Sequence, residues 1–319
     1  MHFFAYAGGE IHKSLDRQVK PYESGPNGDN NYPDGLTAEV AVEKLRELKE
    51  KAEPFFMAVG FFKPHLPFTS PQEYWNLYDE ENLPLTNSHE IPKNTHKASL
   101  QESGEFNGYR QGEEKAGLSH ELSDSYARKV RHAYFAATSY VDAQVGKVIE
   151  ALEKNGLADN TVIVLWGDHG WHLGDHRVWG KHTLSEYALR SALIVKTPGI
   201  TAPGTPSNAI VETVDIYPTL MDLTNQEIPD YLEGKSFENI LRDPNANSDS
   251  TAFSYFRKGI TMRTPRYRLT KYFRDEHPDT ELYDYKTDPF ETQNIAEDNS
   301  DIVNSLMRKL EKGNTGLYN

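Results

Sequence analysis

The chain has 319 residues, a net charge of −14, no cysteine, and 26% charged against 37% hydrophobic residues. That length, with 18 Tyr and 14 Phe to fill cores, supports one large or two ordinary domains and excludes an intrinsically disordered chain. The acidic balance speaks against nonspecific nucleic-acid binding, and the missing cysteines exclude disulfides, zinc–thiolate centres and thiol catalysis.

Residues 13–36, rich in Gly, Pro, Asn and Asp, read as an irregular surface loop. From Thr37 onward, Ala38, Ala41, Leu45, Leu48 and Ala52 recur at steps of three and four, which predicts a helix stopped by Pro54. The run "PFFMAVGFF" (54–62) predicts a strand buried on both faces, as in a parallel sheet. Residues 79–122 are polar and read as a surface excursion. A second helix is predicted at 124–154 from Tyr126, Val130, Ala133, Ala137, Val141, Val145, Val148 and Leu152, with Gly156 as its left-handed end. Strands at 161–166 and 191–199 and a helix at 212–223 follow. This alternation predicts an α/β fold with a mostly parallel sheet flanked by helices. Beyond about residue 250 the pattern turns to short antiparallel strands, closed by a polar helix at 299–312. The expected division is therefore an α/β core, 1–250, and a smaller antiparallel subdomain, 251–319.

Chemistry concentrates where two apolar runs end. In "TVIVLWGDHGWHLGDHRVWGKH" (161–182), Asp168 and His169 stand at the carboxyl end of a strand, where ligands of parallel α/β sheets collect. A hard oxygen beside a neutral nitrogen suits a divalent cation; the alternative is a turn-capping Asp and a polar loop His. Trp171, His172, Asp175 and His176 read either as substrate-facing or as structural loop residues, because HxxDH is not a helical zinc spacing. Trp171, His172 and Trp179 either line a sugar subsite, since flat faces suit a pyranose ring, or pack the loop. Lys181 either faces solvent or neutralises charge on a leaving oxygen. In "KPHLPF" (63–68), two prolines restrict the backbone around His65, which is either a general acid or a histidine packed on Phe62 and Phe68. No apolar run reaches the length of a membrane span, and "MHFFAYAGGE" lacks the basic start and apolar length of a signal peptide.

Four segments occur in one order: "PFFMAVGFFKPHLPF", the 161–182 stretch, "VDIYPTLMDL" and "ELYDYKTDPFETQNIA". Together, over 32–296, they resemble the sulfatases of the alkaline-phosphatase-like superfamily, and within them the iduronate-2-sulfatase branch with its bacterial relatives. The resemblance implies that Asp168 and His169 ligate Ca2+. It also implies that His65 and Lys181 contact the sulfate and the bridging ester oxygen of a sulfated carbohydrate. The family nucleophile is a formylglycine made in a Cys/Ser-x-Pro-x-Arg motif, which this sequence lacks, as it lacks the family's N-terminal Asp-Asp metal pair. The Gly-Lys-x-x-His element is also not intact, His2 being the one candidate for its histidine. The expectation is thus a C-terminal portion of a sulfatase, inactive by itself. Its first strands and formylglycine would lie on a separate N-terminal segment or subunit. A periplasmic or extracellular location is implied by the family alone. The competing expectations are a phosphatase, phosphodiesterase or phosphonate hydrolase of the same superfamily, and a non-catalytic subunit that binds sulfated glycan.

Overall fold

A computed structural model describes residues 6–7, 19–51, 53–109, 111–200, 203–246 and 250–318. His2 and Ala52 lie outside the described residues. The chain forms two compact units: Met1–Thr86 with Glu102–Thr161, and Asn87–Gln101 with Val162–Asn319. The C-terminal sheet is one part of the second unit, a partition different from the boundary expected near residue 250.

In the first unit, β1 (Tyr22–Gly25) pairs in parallel with β2 (Phe68–Pro71). Helix α1 spans Pro33–Lys51, with Asp34 in its first turn and Lys49 and Lys51 in its last, in keeping with the helix dipole. Its buried face includes the expected Ala38, Ala41 and Leu45. Gly35 allows α1 to start so close to residue 29, because a Cβ there would lie 2.2 Å from the Asp29 carbonyl oxygen. Helix α2 spans Asp124–Lys154, capped by Ser123, whose side chain accepts from Tyr126 N. Tyr126, Val130, Ala133, Ala137 and Leu152 are buried as the periodicity requires, and Gly156 has φ +71° at the helix end. Tyr140 of α2 ties the unit together: its hydroxyl accepts from Gly35 N at 2.7 Å and donates to Asp29 O at 2.9 Å.

The apolar run 54–62 departs from expectation. It lies outside any strand, and its residues alternate between half-buried and exposed, with Phe56 85% exposed. Its backbone runs without a ladder among the described residues, so one side of the run stays open where two-sided burial was expected.

The second unit contains β3 (Ile163–Trp166), β4 (His172–Leu173), β5 (Trp179–Gly180), β6 (Leu193–Lys196) and helix α3 (Ile216–Leu223). Strand β3 pairs with β6 and β4 with β5, both antiparallel. The link from β3 to β6 holds only a hairpin and a short helical turn, Glu186–Leu189, with no long crossover helix, so the chain reverses instead of returning parallel. Strands β7 (Ala252–Phe256), β8 (Gly259–Arg263), β9 (Tyr267–Tyr272) and β10 (Thr280–Asp284) form the expected C-terminal antiparallel sheet, in the order β10-β9-β8-β7. Helix α4 (Ser300–Gly313) covers it through Leu310, which clusters with Ile260, Met262, Leu269 and Leu282. Each such buried side chain contributes roughly 1.5–3 kcal/mol.

Residues 79–122 are more than a surface excursion. Leu83, Phe106, Tyr109 and Leu122 are buried, as is His96. In the second unit, buried Glu281 of β10 accepts from His96 N at 2.7 Å and from the hydroxyls of Thr95 and Ser99 at 2.6 Å. One carboxylate thereby draws a polar segment inward, which composition alone does not reveal. No helix among the described residues is long and apolar enough to cross a membrane.

Candidate functional site

The candidate residues fall in both units: His65 in the first, and Asp168, His169, Trp171, His172, His176 and Lys181 in the second.

Asp168 and His169 follow β3 directly. Gly167 N donates to Ala192 O at 2.9 Å and Gly170 N to Ala188 O at 2.8 Å, which turns the chain sharply off the strand. A Cβ at Gly170 would lie 2.2 Å from Tyr187 O and 2.6 Å from Arg190 O, so only glycine permits this approach. The His169 Nδ1 lies 2.7 Å from Gly170 O, a carbonyl that can only accept, so Nδ1 carries a proton. That bond turns Nε2 toward Asp168, 3.8 Å from Oδ1, while the Asp168 side chain is 81% exposed. A carboxylate and an imidazole nitrogen at this separation fit as two neighbouring ligands of one divalent cation, with the histidine's other nitrogen anchored to backbone. Further ligands of an oxygen-rich calcium shell would have to join them.

The loop then folds back as the β4–β5 hairpin, in which His172 is opposite Gly180. Gly174 (φ +96°), His176 (φ 55°) and Arg177 (φ 63°) make its tight turn. Asp175 fastens it, accepting from Leu173 N at 2.9 Å and from Ser88 Oγ at 3.2 Å. The register sets Trp171 and Lys181 side by side just beyond the hairpin, with the Lys181 ammonium 5.5 Å from the Trp171 ring centroid. Both are half-buried.

His172 and His176 occupy different ground. They are 1% and 2% exposed. His172 Nδ1 bonds Asp175 O at 3.1 Å and Nε2 bonds Thr183 Oγ1 at 2.9 Å, while His176 Nε2 bonds Phe290 O at 2.9 Å. Burial, then the neighbouring His176, lowers the His172 pKa to about 4. These contacts favour the structural half of the alternative: His172 braces the hairpin against the Lys181–Thr183 turn instead of offering a nitrogen to a ligand.

His65 sits on a turn after the 54–62 run, its side chain 20% exposed. Its Nδ1 lies 2.7 Å from Leu66 O and its Nε2 3.3 Å from Glu105 Oε1, and its ring is 5.3 Å from that of Phe62. The tilted contact with the Phe62 ring fits the packing alternative, and the partial exposure and the carboxylate partner fit the general-acid alternative. The longer Nε2 contact is the one that a leaving oxygen could replace. Glu105, Asp34 and Ser88 were not singled out from sequence. Each lies 29 to 87 residues from its partner, and no local pattern links them.

The chain is 29% identical over 381 residues to iduronate 2-sulfatase of Homo sapiens, covering 94% of this chain and 68% of that protein. It is 30% identical over 280 residues to a sulfatase of Formosa agariphila, covering 85% of this chain and 51% of that protein. The chain thus spans only about half to two thirds of the length of these relatives. A solved structure in complex with its substrate D-glucosamine-2-N,6-O-disulfate superposes with a TM-score of 0.75 at 20% identity, over 88% of this chain and 69% of the other. The fold is accordingly the expected alkaline-phosphatase-like α/β architecture. Residues 174–315 match the C-terminal region of N-sulphoglucosamine sulphohydrolase. Residues 2–226 match the sulfatase family, to which the chain belongs.

Proposed function

We propose that this chain forms the metal-holding and leaving-group side of a sulfuric ester hydrolase acting on sulfated carbohydrate, outside the cytoplasm. The observation that carries the reading is the 168–181 loop, which presents an anchored Asp168–His169 pair and, one short hairpin later, a Trp171-backed ammonium at Lys181. Asp168 and His169 would hold calcium, which polarises sulfate oxygens when bound. Attack on sulfur breaks the S–O bond to the sugar and leaves negative charge on the bridging oxygen. Lys181 lowers the energy of that charge. By the family resemblance alone, His65 is the residue that would deliver the proton taken up by the departing alkoxide. Trp171 offers its indole face to the sugar ring. The chain contains no cysteine and no Ser-x-Pro-x-Arg, so the formylglycine nucleophile would be supplied by a further segment or subunit.

The test uses the chain alone and the chain co-expressed with a sulfatase N-terminal segment bearing Cys-x-Pro-x-Arg. Turnover of an aryl sulfate is expected only from the pair, and is expected to disappear with Lys181→Ala. Turnover by the purified chain alone, abolished by the same substitution, would sink the idea of a nucleophile from elsewhere. Faster turnover of a phosphonate ester than of any sulfate would favour the phosphonate hydrolase reading. Binding of sulfated glycan with no turnover in either sample would favour the non-catalytic one.

A further inference from the structure

The turn that carries His65 is held at both ends by buried groups outside the proposed chemistry. Asp34, in the first turn of α1 and 2% exposed, accepts from Phe62 N at 2.8 Å and from Lys63 N at 2.9 Å. Lys63, 6% exposed, sends its ammonium back across the turn to Pro67 O and lies 4.9 Å from the centroid of the Phe62 ring. His65 N donates to Phe62 O at 3.1 Å. The imidazole therefore projects from a loop closed by four hydrogen bonds, with Leu66 O and Glu105 at its two nitrogens.

A buried ammonium carries a large desolvation cost, and a methionine would fill the same volume without it. Burial lowers the Lys63 pKa to about 7, against the opposing pull of Asp34 and Glu23. A group kept at such cost does something that packing does not. Apolar contact is non-directional, whereas an ammonium–carbonyl bond across four residues defines the loop's shape and so the imidazole's aim.

We propose that Asp34 and Lys63 are positioning residues for His65: the carboxylate and the ammonium together close the 62–67 turn and set the direction in which the imidazole points. The proposal rests on the reading of His65 as the proton donor, but its test does not require turnover. Histidine-labelled full-length chain is followed by NMR through a pH titration, as parent, Lys63→Met and Asp34→Asn. His65 in either variant is expected to shift its midpoint by about half a pH unit and to lose its single dominant tautomer. His132, held in the same unit by Glu80 and Trp75 O, is expected to stay unchanged. Because the chain has no cysteine, Lys63→Cys can be aminoethylated at that one position while unfolded and then refolded, restoring an ammonium of nearly the same reach. Recovery of the parent His65 titration supports a role for the charge. His65 signals unchanged in both variants, or a titration that aminoethylation does not restore, overturn the proposal. Should Lys63→Met fail to fold, Asp34→Asn, which keeps side-chain size and one acceptor oxygen, decides by the same criterion. If His65→Ala leaves turnover of the completed enzyme intact, the proton-donor reading fails while the NMR result stands.

Discussion

Arg268→Met removes the cation from a pair that has almost no access to water. The Arg268 Nε lies 2.6 Å from Glu291 Oε1, with side chains 3% and 1% exposed. Glu291 also accepts from Ser185 Oγ at 2.6 Å, from Glu186 N at 3.3 Å and from the Tyr285 hydroxyl. Burial by itself would raise the Glu291 carboxyl; the Arg268 charge and these hydrogen bonds outweigh it and hold the pKa at about 2, against an ordinary 4.5. A displacement of about 2.5 units, at about 1.36 kcal/mol each, corresponds to ~3 kcal/mol. Removing one partner of a buried pair costs ~3–5 kcal/mol by a separate route, and the two figures agree. Urea denaturation at pH 7 is therefore expected to show Arg268→Met less stable by ~3–5 kcal/mol, and Arg268→Met/Glu291→Leu much closer to the parent. Because the folded pKa is depressed, this stabilisation is complete above about pH 4.5 and drains as the pH falls toward 2. The variant should lack that acid-side decline. A loss under ~1 kcal/mol at pH 7 would refute the reasoning, since the carboxylate would then be stable without its cation.

Gly170→Ala is expected to cost ~2–4 kcal/mol, because the added carbon meets two backbone carbonyl oxygens that cannot rotate away, and under the proposed role of Asp168 and His169 to weaken calcium binding. Gly60→Ala, where nothing lies within 4 Å, serves as control and should stay within ~0.5 kcal/mol in thermal unfolding. His172 is buried neutral with a pKa of about 4, so the unfolded chain binds its proton more readily. Stability contributed by this residue is full above about pH 6.5 and falls by ~1.4 kcal/mol per unit down to about pH 4. His172→Phe should flatten that slope between about pH 4 and pH 6.5 while lowering stability at pH 8 by ~1–3 kcal/mol through two lost hydrogen bonds. An unchanged slope would show that another group titrates there.

The elements with a strong local signature were legible beforehand. Helix α2 follows from an apolar stripe over eight turns and a glycine at its end, and the β7–β10 sheet from alternation broken by turns. Asp168, His169 and Lys181 drew attention because hard-ligand and cationic side chains rarely crowd against the end of an apolar run. Run 54–62 misled, because an apolar string states a preference for burial but not which neighbour provides it. At His172 and His176 the sequence left both alternatives open, because a histidine-rich loop looks like a site whether its nitrogens face a ligand or a carbonyl.

By itself the sequence determined the family, the long helices, the C-terminal sheet and the residue types available for sulfate chemistry, because periodicity and short-range spacing are properties of the chain. Tertiary structure alone decided which of those residues are held and by what. Asp34 reaches Lys63, Glu281 reaches His96 and Glu291 reaches Arg268 and Ser185 across 23 to 185 positions. The physical reason is that a buried carboxylate accepts whichever donors the fold delivers to it, and that delivery is settled by how the elements pack, not by their order along the chain.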